Sequence, residues 1–438
     1  VAELVREEPA SVGQRLLALM DHYRGRDSAL NEQVLWRLRG PYDHEAMTRA
    51  VAALTARHEP LRTTYPRGRR MRQQIHVPRP VPVPVTDVSA EADPGAAARE
   101  IVATEVATGV DASVWPLRPR VVRLDAEHHL VVLTLHHYCS DDYSNALLAR
   151  DLRSLYAVET GETVDLPVPQ WQYAQWARWQ ADQLSGANLT RLTDYWTGKL
   201  TGARLVELPA RRRRPVPDGE PPWISVEHYV DAETTAALRQ LARRHRTTLF
   251  PVTLAVFYAL LYAETGADDL TVASLFANRS QPQVRDTVGF FASMVLLRER
   301  FTPDTTLSEL IAQARTTVMD AMRHQDLPHQ LLPPDTVAGG TGRTDDVLFQ
   351  LLGSLMTRAD MAGEELDDME AQLERRRFAL EFVVVPQGDQ LSALLLCSRA
   401  EFDPLWADTF VRDYVTLVRR AVADADVPLT RLRGAPVT

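Results

Sequence analysis

The chain has 438 residues, about three times the ~150 that one domain usually takes, so two or more lobes are expected. Apolar residues at 45% and charged residues at 24% suit a soluble protein with a buried core; no run approaches the roughly 18 apolar residues of a membrane span. The formal charge of −9, from 58 acidic and 49 basic side chains, argues against nucleic acid as a partner.

Two widely separated cysteines, Cys139 and Cys397, fit neither a disulfide scaffold nor a cysteine zinc cluster. With a polar opening stretch unlike a secretory signal, a cytoplasmic, monomeric protein with no membrane partner is expected. Lys199 is the one lysine, a skew that points to GC-rich coding. The basic run Arg211 to Arg214 stands before Pro-Val-Pro and reads as a solvated connector.

In chain order, Ser11-Val-Gly-Gln14 is a capping-box pattern that opens a helix, with Gly25 placed to end it. Leu35 to Leu38 reads as a strand, and Asp43 caps a helix to about Arg57. A third helix spans about Ala90 to Val110. Strands over 120–124 and 130–135 flank a polar hairpin turn, and the second runs into His136-His137-Tyr-Cys-Ser-Asp-Asp142. An amphipathic helix follows, from Asn145 to Tyr156, with Leu147, Leu148, Leu152 and Leu155 on one face. From Trp171 to about Leu200 the chain is helical and aromatic, its rings serving as packing. Residues 209–222 read as an exposed loop. Helices are then expected at 232–246, 249–265 and 306–323, the last with a second capping box, Thr306 to Glu309. Strands are expected at 269–276, 289–299, 347–353, 378–385 and 391–397, with a closing helix from Pro404 to Ala423. Without strict βαβ alternation, the fold class is α/β, and two α/β sandwiches fit better than a Rossmann sheet.

The chemistry concentrates after residue 135. His136-His137 ends a continuous apolar strand, and Asp141 follows His137 by four residues. A histidine of near-neutral pKa at a strand end can take a proton from an amine or hydroxyl as that group attacks a carbonyl. A nearby carboxylate either orients the ring or braces its loop. The alternative is a buried histidine satisfied by backbone groups. A metal site is not expected, because adjacent strand residues point to opposite faces. Cys139 has no convincing local base and reads as a small buried hydrophobe.

These residues resemble a known family. His136-His137-xxx-Asp141 is similar to the HHxxxDG motif of nonribosomal peptide synthetase condensation domains, in the chloramphenicol-acetyltransferase-like superfamily. The likeness continues in order along nearly the whole chain. Ser11 to Leu16 resembles SxAQxRLW, and Arg57 to Tyr65 resembles RHExLRTxF. Tyr173-Ala-Gln-Trp176 and Asp194-Tyr-Trp196 resemble the family's aromatic helices. Ala277-Asn278-Arg279 stands where AGR is usual, Val288 to Phe291 resembles the start of IGxFVNT, and His324 to Pro328 matches HQDxPFE.

The resemblance implies a V-shaped pseudo-dimer of two acetyltransferase-like α/β sandwich lobes, residues 1–180 with the HHxxxD motif and 181–438, with the site midway along a tunnel. It implies amide formation, or ester formation, between groups carried on the 4'-phosphopantetheine arms of an upstream donor and a downstream acceptor carrier protein, with no cofactor bound by the chain itself. His137 would be catalytic, facing the tunnel, and His136 would point into the fold. Asp141 would be structural, paired with Arg279 from the C-terminal lobe, and Arg62 would be another structural arginine near the site. Ser140, Gly289, Phe291 and Ser293 are further candidates for the tunnel or its surroundings.

The chain also departs from the pattern. Asp142 replaces the motif glycine, adding bulk and charge where glycine permits left-handed backbone and close ligand approach. FVNT has become Phe291-Ala-Ser-Met294, and KFDL reads Arg377-Phe-Ala-Leu380. The Asp141-Asp142 ending resembles the noncatalytic recruitment domains of glycopeptide synthetases, which implies a second reading: an inactive module that recruits a tailoring enzyme or gates the assembly line.

Overall fold

A computed structural model describes residues 3–24, 30–66, 70–217, 219–333, 336–337, 347–352 and 378–432. Gly25 and Arg377 lie outside the described residues. Contacts divide the chain into two compact units, one holding residues up to Ser185 together with Ala277–Ala292, the other holding Gly186–Phe276 and the described residues from Ser293 onward.

The first unit runs β1 (Leu4–Pro9), α1 (Val12–Arg24), β2 (Asn31–Arg39), α2 (His44–Arg57), β3 (Thr63–Thr64), β4 (Arg72–His76), β5 (Val85–Asp87), α3 (Pro94–Ala107), β6 (Leu117–Arg123), β7 (His128–His136), α4 (Asp142–Glu159) and α5 (Tyr173–Gln183). Its described strands form a four-stranded sheet of order β2-β7-β6-β5 and a three-stranded sheet of order β1-β4-β3. β7 is paired on both edges, antiparallel to β2 and β6, and every residue after His128 is buried. That is why its sequence is a continuous apolar run rather than an alternating one. Helices α2 and α4 pack together over this sheet, with Met47, Val51, Leu54, Leu147, Leu148 and Leu152 in their shared core.

Helix starts follow local chemistry. The Ser11–Gln14 box closes in both directions, Gln14 N–H to Ser11 Oγ at 3.1 Å and Ser11 N–H to Gln14 Oε1 at 3.0 Å. Asp43 accepts Ala46 N–H at 2.9 Å to start α2. Asp93 caps α3, which is shorter than expected because Pro94 sits in its first turn.

The second unit holds α6 (Gly186–Leu200), β8 (Trp223–Val230), α7 (Ala232–Arg244), α8 (Leu249–Thr265), β9 (Asp269–Phe276), β10 (Ser293–Arg300), α9 (Leu307–His324), β11 (Val347–Leu351), β12 (Leu380–Gln387), β13 (Gln390–Ser398) and α10 (Pro404–Ala423). Its described strands make one six-stranded sheet of order β10-β9-β11-β12-β13-β8. β11 pairs parallel with both β9 and β12, and the other pairings are antiparallel. Helix α8 is buried without a break from Pro251 to Tyr262, which explains its near-complete lack of polar residues. Among the described residues no single helix is long and apolar enough to cross a membrane.

Three expectations change. The aromatic stretch 171–200 is two helices, interrupted at Leu184–Ser185, where Gly186 takes φ +53°. The strand expected at 289–299 begins only at Ser293, because the N–H groups of Gly289, Phe291 and Ala292 bond to side chains instead of a neighbouring strand. Strands β1, β3, β4, β5 and β8 were not anticipated. The described residues of 209–222 do form a loop, held by Arg211 to Glu401 at 3.0 Å and Arg214 to Asp403 at 2.6 Å.

Candidate active site

The elements that build the site are consecutive in the chain. β7 ends at His136, a single 3-10 turn covers His137–Cys139, and α4 begins at Asp142. The turn forms because Tyr138 N–H bonds back to His136 Nδ1 at 3.2 Å and Ser140 N–H to His137 O at 3.4 Å.

His137 is buried, 5% exposed. Its Nδ1 lies 2.7 Å from the Ser140 carbonyl and 3.2 Å from Glu32 Oε1 on β2. A carbonyl only accepts, so Nδ1 carries the proton and the lone pair of the neutral ring is on Nε2. The edge of Phe290 packs on the ring, with centroids 4.8 Å apart. His136 is also buried, its ring tilted against that of Tyr138 with centroids 4.0 Å apart. Cys139 is fully buried, and burial pushes its thiol far above the ordinary range.

Asp141 caps α4, its Oδ1 accepting Ser144 N–H at 2.8 Å. Its Oδ2 accepts two successive backbone N–H groups, Phe291 at 2.8 Å and Ala292 at 3.1 Å. Arg279 Nη2 stands 3.5 Å from Oδ1. The expected pair is therefore present, but the three shorter charge-assisted bonds to backbone dominate, each worth roughly 1.5–3 kcal/mol.

Arg279 is held through both terminal nitrogens. Its Nη1 donates to the carbonyls of Val284 and Thr287, both at 2.7 Å, and Nη2 to Ser144 Oγ at 2.8 Å. The guanidinium lies over the rings of Tyr143 at 4.2 Å and Phe291 at 4.0 Å. Asn278, just before it, takes φ +50°, a conformation asparagine tolerates better than most residues.

Ser144 was not singled out from sequence, yet it ties this network together. Its Oγ donates to Gly289 O at 2.7 Å and accepts Gly289 N–H at 3.1 Å. The signal was its place three residues after an N-cap aspartate on the buried side of α4. Gly289 is glycine for a steric reason: a Cβ there would stand 2.0 Å from Tyr173 Cδ2. Tyr173 Oη in turn donates to Phe290 O at 2.5 Å, and Ser11 Oγ, 2.8 Å away, donates to Tyr173 Oη. Phe291 is buried against Tyr173 and Trp176.

The remaining candidates are placed differently. Asp142 is exposed in the first turn of α4 and is not among the residues with positive φ, so its backbone needs no glycine. There its carboxylate complements the positive end of the helix dipole. Ser140 Oγ donates to Asn145 Oδ1. Arg62 lies on the turn Glu59–Arg62, which packs against the turn at His137. Its Nη1 donates to the His76 carbonyl, and Glu59 Oε1 is 3.8 Å from Nη2. Ser293 belongs to the second unit, where it donates to Gln325 O at 2.9 Å.

The pattern of buried histidine, capping aspartate and arginine over aromatic rings agrees with what comparison finds. The profile of the condensation domain matches residues 6–436. This chain belongs to the condensation-domain family. Phosphinothricin tripeptide synthetase PhsC of Streptomyces viridochromogenes is 33% identical over 437 residues, covering 97% of this chain. The chain spans 40% of that synthetase's length. Among solved structures, the condensation domain from Monacolin K polyketide synthase MokA is similar with a TM-score of 0.80 and 19% identity, covering 98% of this chain and all of that one. The X-domain from teicoplanin biosynthesis is similar at 0.78 and 23%, covering 96% of both, and its complex with OxyB has also been solved. At these identities the structural likeness speaks to fold, and the α/β architecture is that of condensation domains.

Proposed function

We propose that this condensation domain joins an acyl group held as a thioester to an amine, forming an amide, with His137 at the reacting centre. The reading rests on one observation: His137 Nδ1 lies 2.7 Å from the Ser140 carbonyl, which can only accept, so the proton belongs on Nδ1 and the lone pair of the neutral ring on Nε2. The amine nitrogen attacks the thioester carbon, the new C–N bond forms and the C–S bond breaks. The amine proton passes to Nε2 and from there to the leaving thiolate, so thioester and amine become amide and thiol. A hydroxyl acceptor would give an ester by the same steps.

Asp141, Arg279 and Ser144 are structural in this scheme, bracing the loop that carries His137, and Arg62 supports the adjacent turn. Donor and acceptor arrive on the phosphopantetheine arms of carrier proteins, and the chain itself holds no cofactor. The test uses this chain with pairs of aminoacyl-pantetheine thioesters, reading amide product by mass spectrometry. Product from the parent and its loss in His137→Ala is the expected result. Equal product from both would overturn the assignment of His137.

A second reading, a noncatalytic module that recruits a tailoring enzyme, draws on Asp142 in place of glycine and on the X-domain likeness. In that case neither the parent nor His137→Ala yields product above the uncatalysed rate.

A further inference from the structure

We infer that Glu32 is a positioning residue for His137, part of a closed ring of polar contacts that sets which imidazole nitrogen carries the proton. Four residues make the ring. His137 Nδ1 lies 2.7 Å from Ser140 O and 3.2 Å from Glu32 Oε1. Glu32 Oε2 accepts Asn145 Nδ2 at 3.1 Å. Asn145 Oδ1 accepts the hydroxyl of Ser140, whose own carbonyl returns to His137. Three elements contribute: Glu32 from β2, Asn145 from the first turn of α4, and the turn between β7 and α4.

The ring has a direction. The Asn145 amide can face the Glu32 carboxylate only with its N–H₂ group, since its oxygen would meet like charge. That orientation leaves Oδ1 for the Ser140 hydroxyl. Glu32 is thereby held with Oε1 against Nδ1. Two acceptors, a carbonyl and a carboxylate, now face one ring nitrogen. A lone pair on Nδ1 would be repelled by both, so the tautomer with hydrogen on Nδ1 is selected. A carboxylate at this distance also stabilises the imidazolium that exists while Nε2 holds the transferred proton. Glu32 does not touch the reacting atoms.

This inference rests on the acyl-transfer reading for its catalytic consequence, but its structural content can be measured without any substrate. Long-range ¹⁵N–¹H spectra of the chain labelled in histidine report the tautomer of each ring, and His137 is the set of signals missing from His137→Asn. The parent should show the proton on Nδ1. Glu32→Gln can turn an N–H₂ group toward Nδ1, and the ratio of Nδ1–H to Nε2–H should fall by about tenfold. Asn145→Ala, which releases Glu32 without altering it, should move the ratio the same way. Circular dichroism confirms that both variants fold. A parent ring protonated on Nε2, or a parent-like ratio in both variants, overturns the inference. With aminoacyl-pantetheine thioesters, Glu32→Gln should lower kcat and leave KM unchanged, whereas an unchanged kcat overturns it. Failure of the acyl-transfer reading looks different: no variant, nor the parent, forms product, while the tautomer result stands.

Discussion

Asp141 and Phe291, 150 positions apart in the chain, are joined by a 2.8 Å hydrogen bond from the Phe291 N–H to Oδ2. The same oxygen takes Ala292 N–H, and the other oxygen starts helix α4 through Ser144 N–H. One buried carboxylate thus fixes the helix that follows the histidine turn and the loop that packs beside it.

Replacing Asp141 by alanine leaves three backbone N–H groups, two of them buried, and the Arg279 guanidinium without this acceptor. Loss of about 3 kcal/mol in unfolding free energy is expected. Denaturant titration checks this, and a variant within 0.5 kcal/mol of the parent, roughly the spread of a neutral surface change, would remove the bracing role.

His137→Ala should lower the rate of amide formation by about 10²–10⁴-fold, the usual contribution of a positioned acid or base. Its melting temperature should stay close to the parent's if the turn is held mainly by Asp141. A parallel collapse in stability would mean that the lost rate reports unfolding.

Gly289→Ala puts a methyl group 2.0 Å from the Tyr173 ring. Because the ring is buried and its hydroxyl is hydrogen-bonded to both Ser11 and Phe290, it has no room to retreat. A cost of about 1–3 kcal/mol is expected. The double variant Gly289→Ala with Tyr173→Ala should lose less than the two single costs added together, since the clash is gone. Strict additivity would place the penalty elsewhere.

A buried cluster away from His137 makes stability depend on pH. His58 Nε2 lies 2.8 Å from Asp151 Oδ2, and the carboxylate also bonds Arg57 Nε at 2.9 Å and Arg150 Nε at 2.7 Å. Burial works to raise Asp151, but the hydrogen bonds from His58 and Arg150, with the charge of Arg150, outweigh it and hold the carboxyl below its ordinary range. Burial pushes His58 down, more than Asp151 pulls it up. The folded state thus keeps His58 neutral while the unfolded chain binds a proton, so stability falls as pH drops below about 6.5, the ordinary histidine value. Asp151 adds a further loss at lower pH, as pH falls through its depressed value. His58→Gln should flatten the slope of unfolding free energy against pH just below 6.5, and an unchanged slope would assign it to other histidines.

Local order was written in short stretches of sequence. Both capping boxes, the aspartate caps, the apolar run of β7 and the one-sided leucines of α4 depend on neighbours within a few positions, where spacing alone decides which atoms can meet. The motif residues His136, His137 and Asp141 were legible for the same reason, and so was the family. Tertiary structure decided the rest. The strands β1, β4 and β8 mix polar and apolar residues and become strands only through their partners. Residues 289–292 read as strand by composition, yet Asp141 and Ser144 take the N–H groups of Gly289, Phe291 and Ala292. Glu32 carries no local sign of function: it sits in the polar run Asn31-Glu32-Gln33, and only the β2–β7 pairing, which sets Asn31 opposite His136, brings its carboxylate to the histidine. Contacts between distant positions depend on register and burial, and neither is encoded in the spacing of nearby residues.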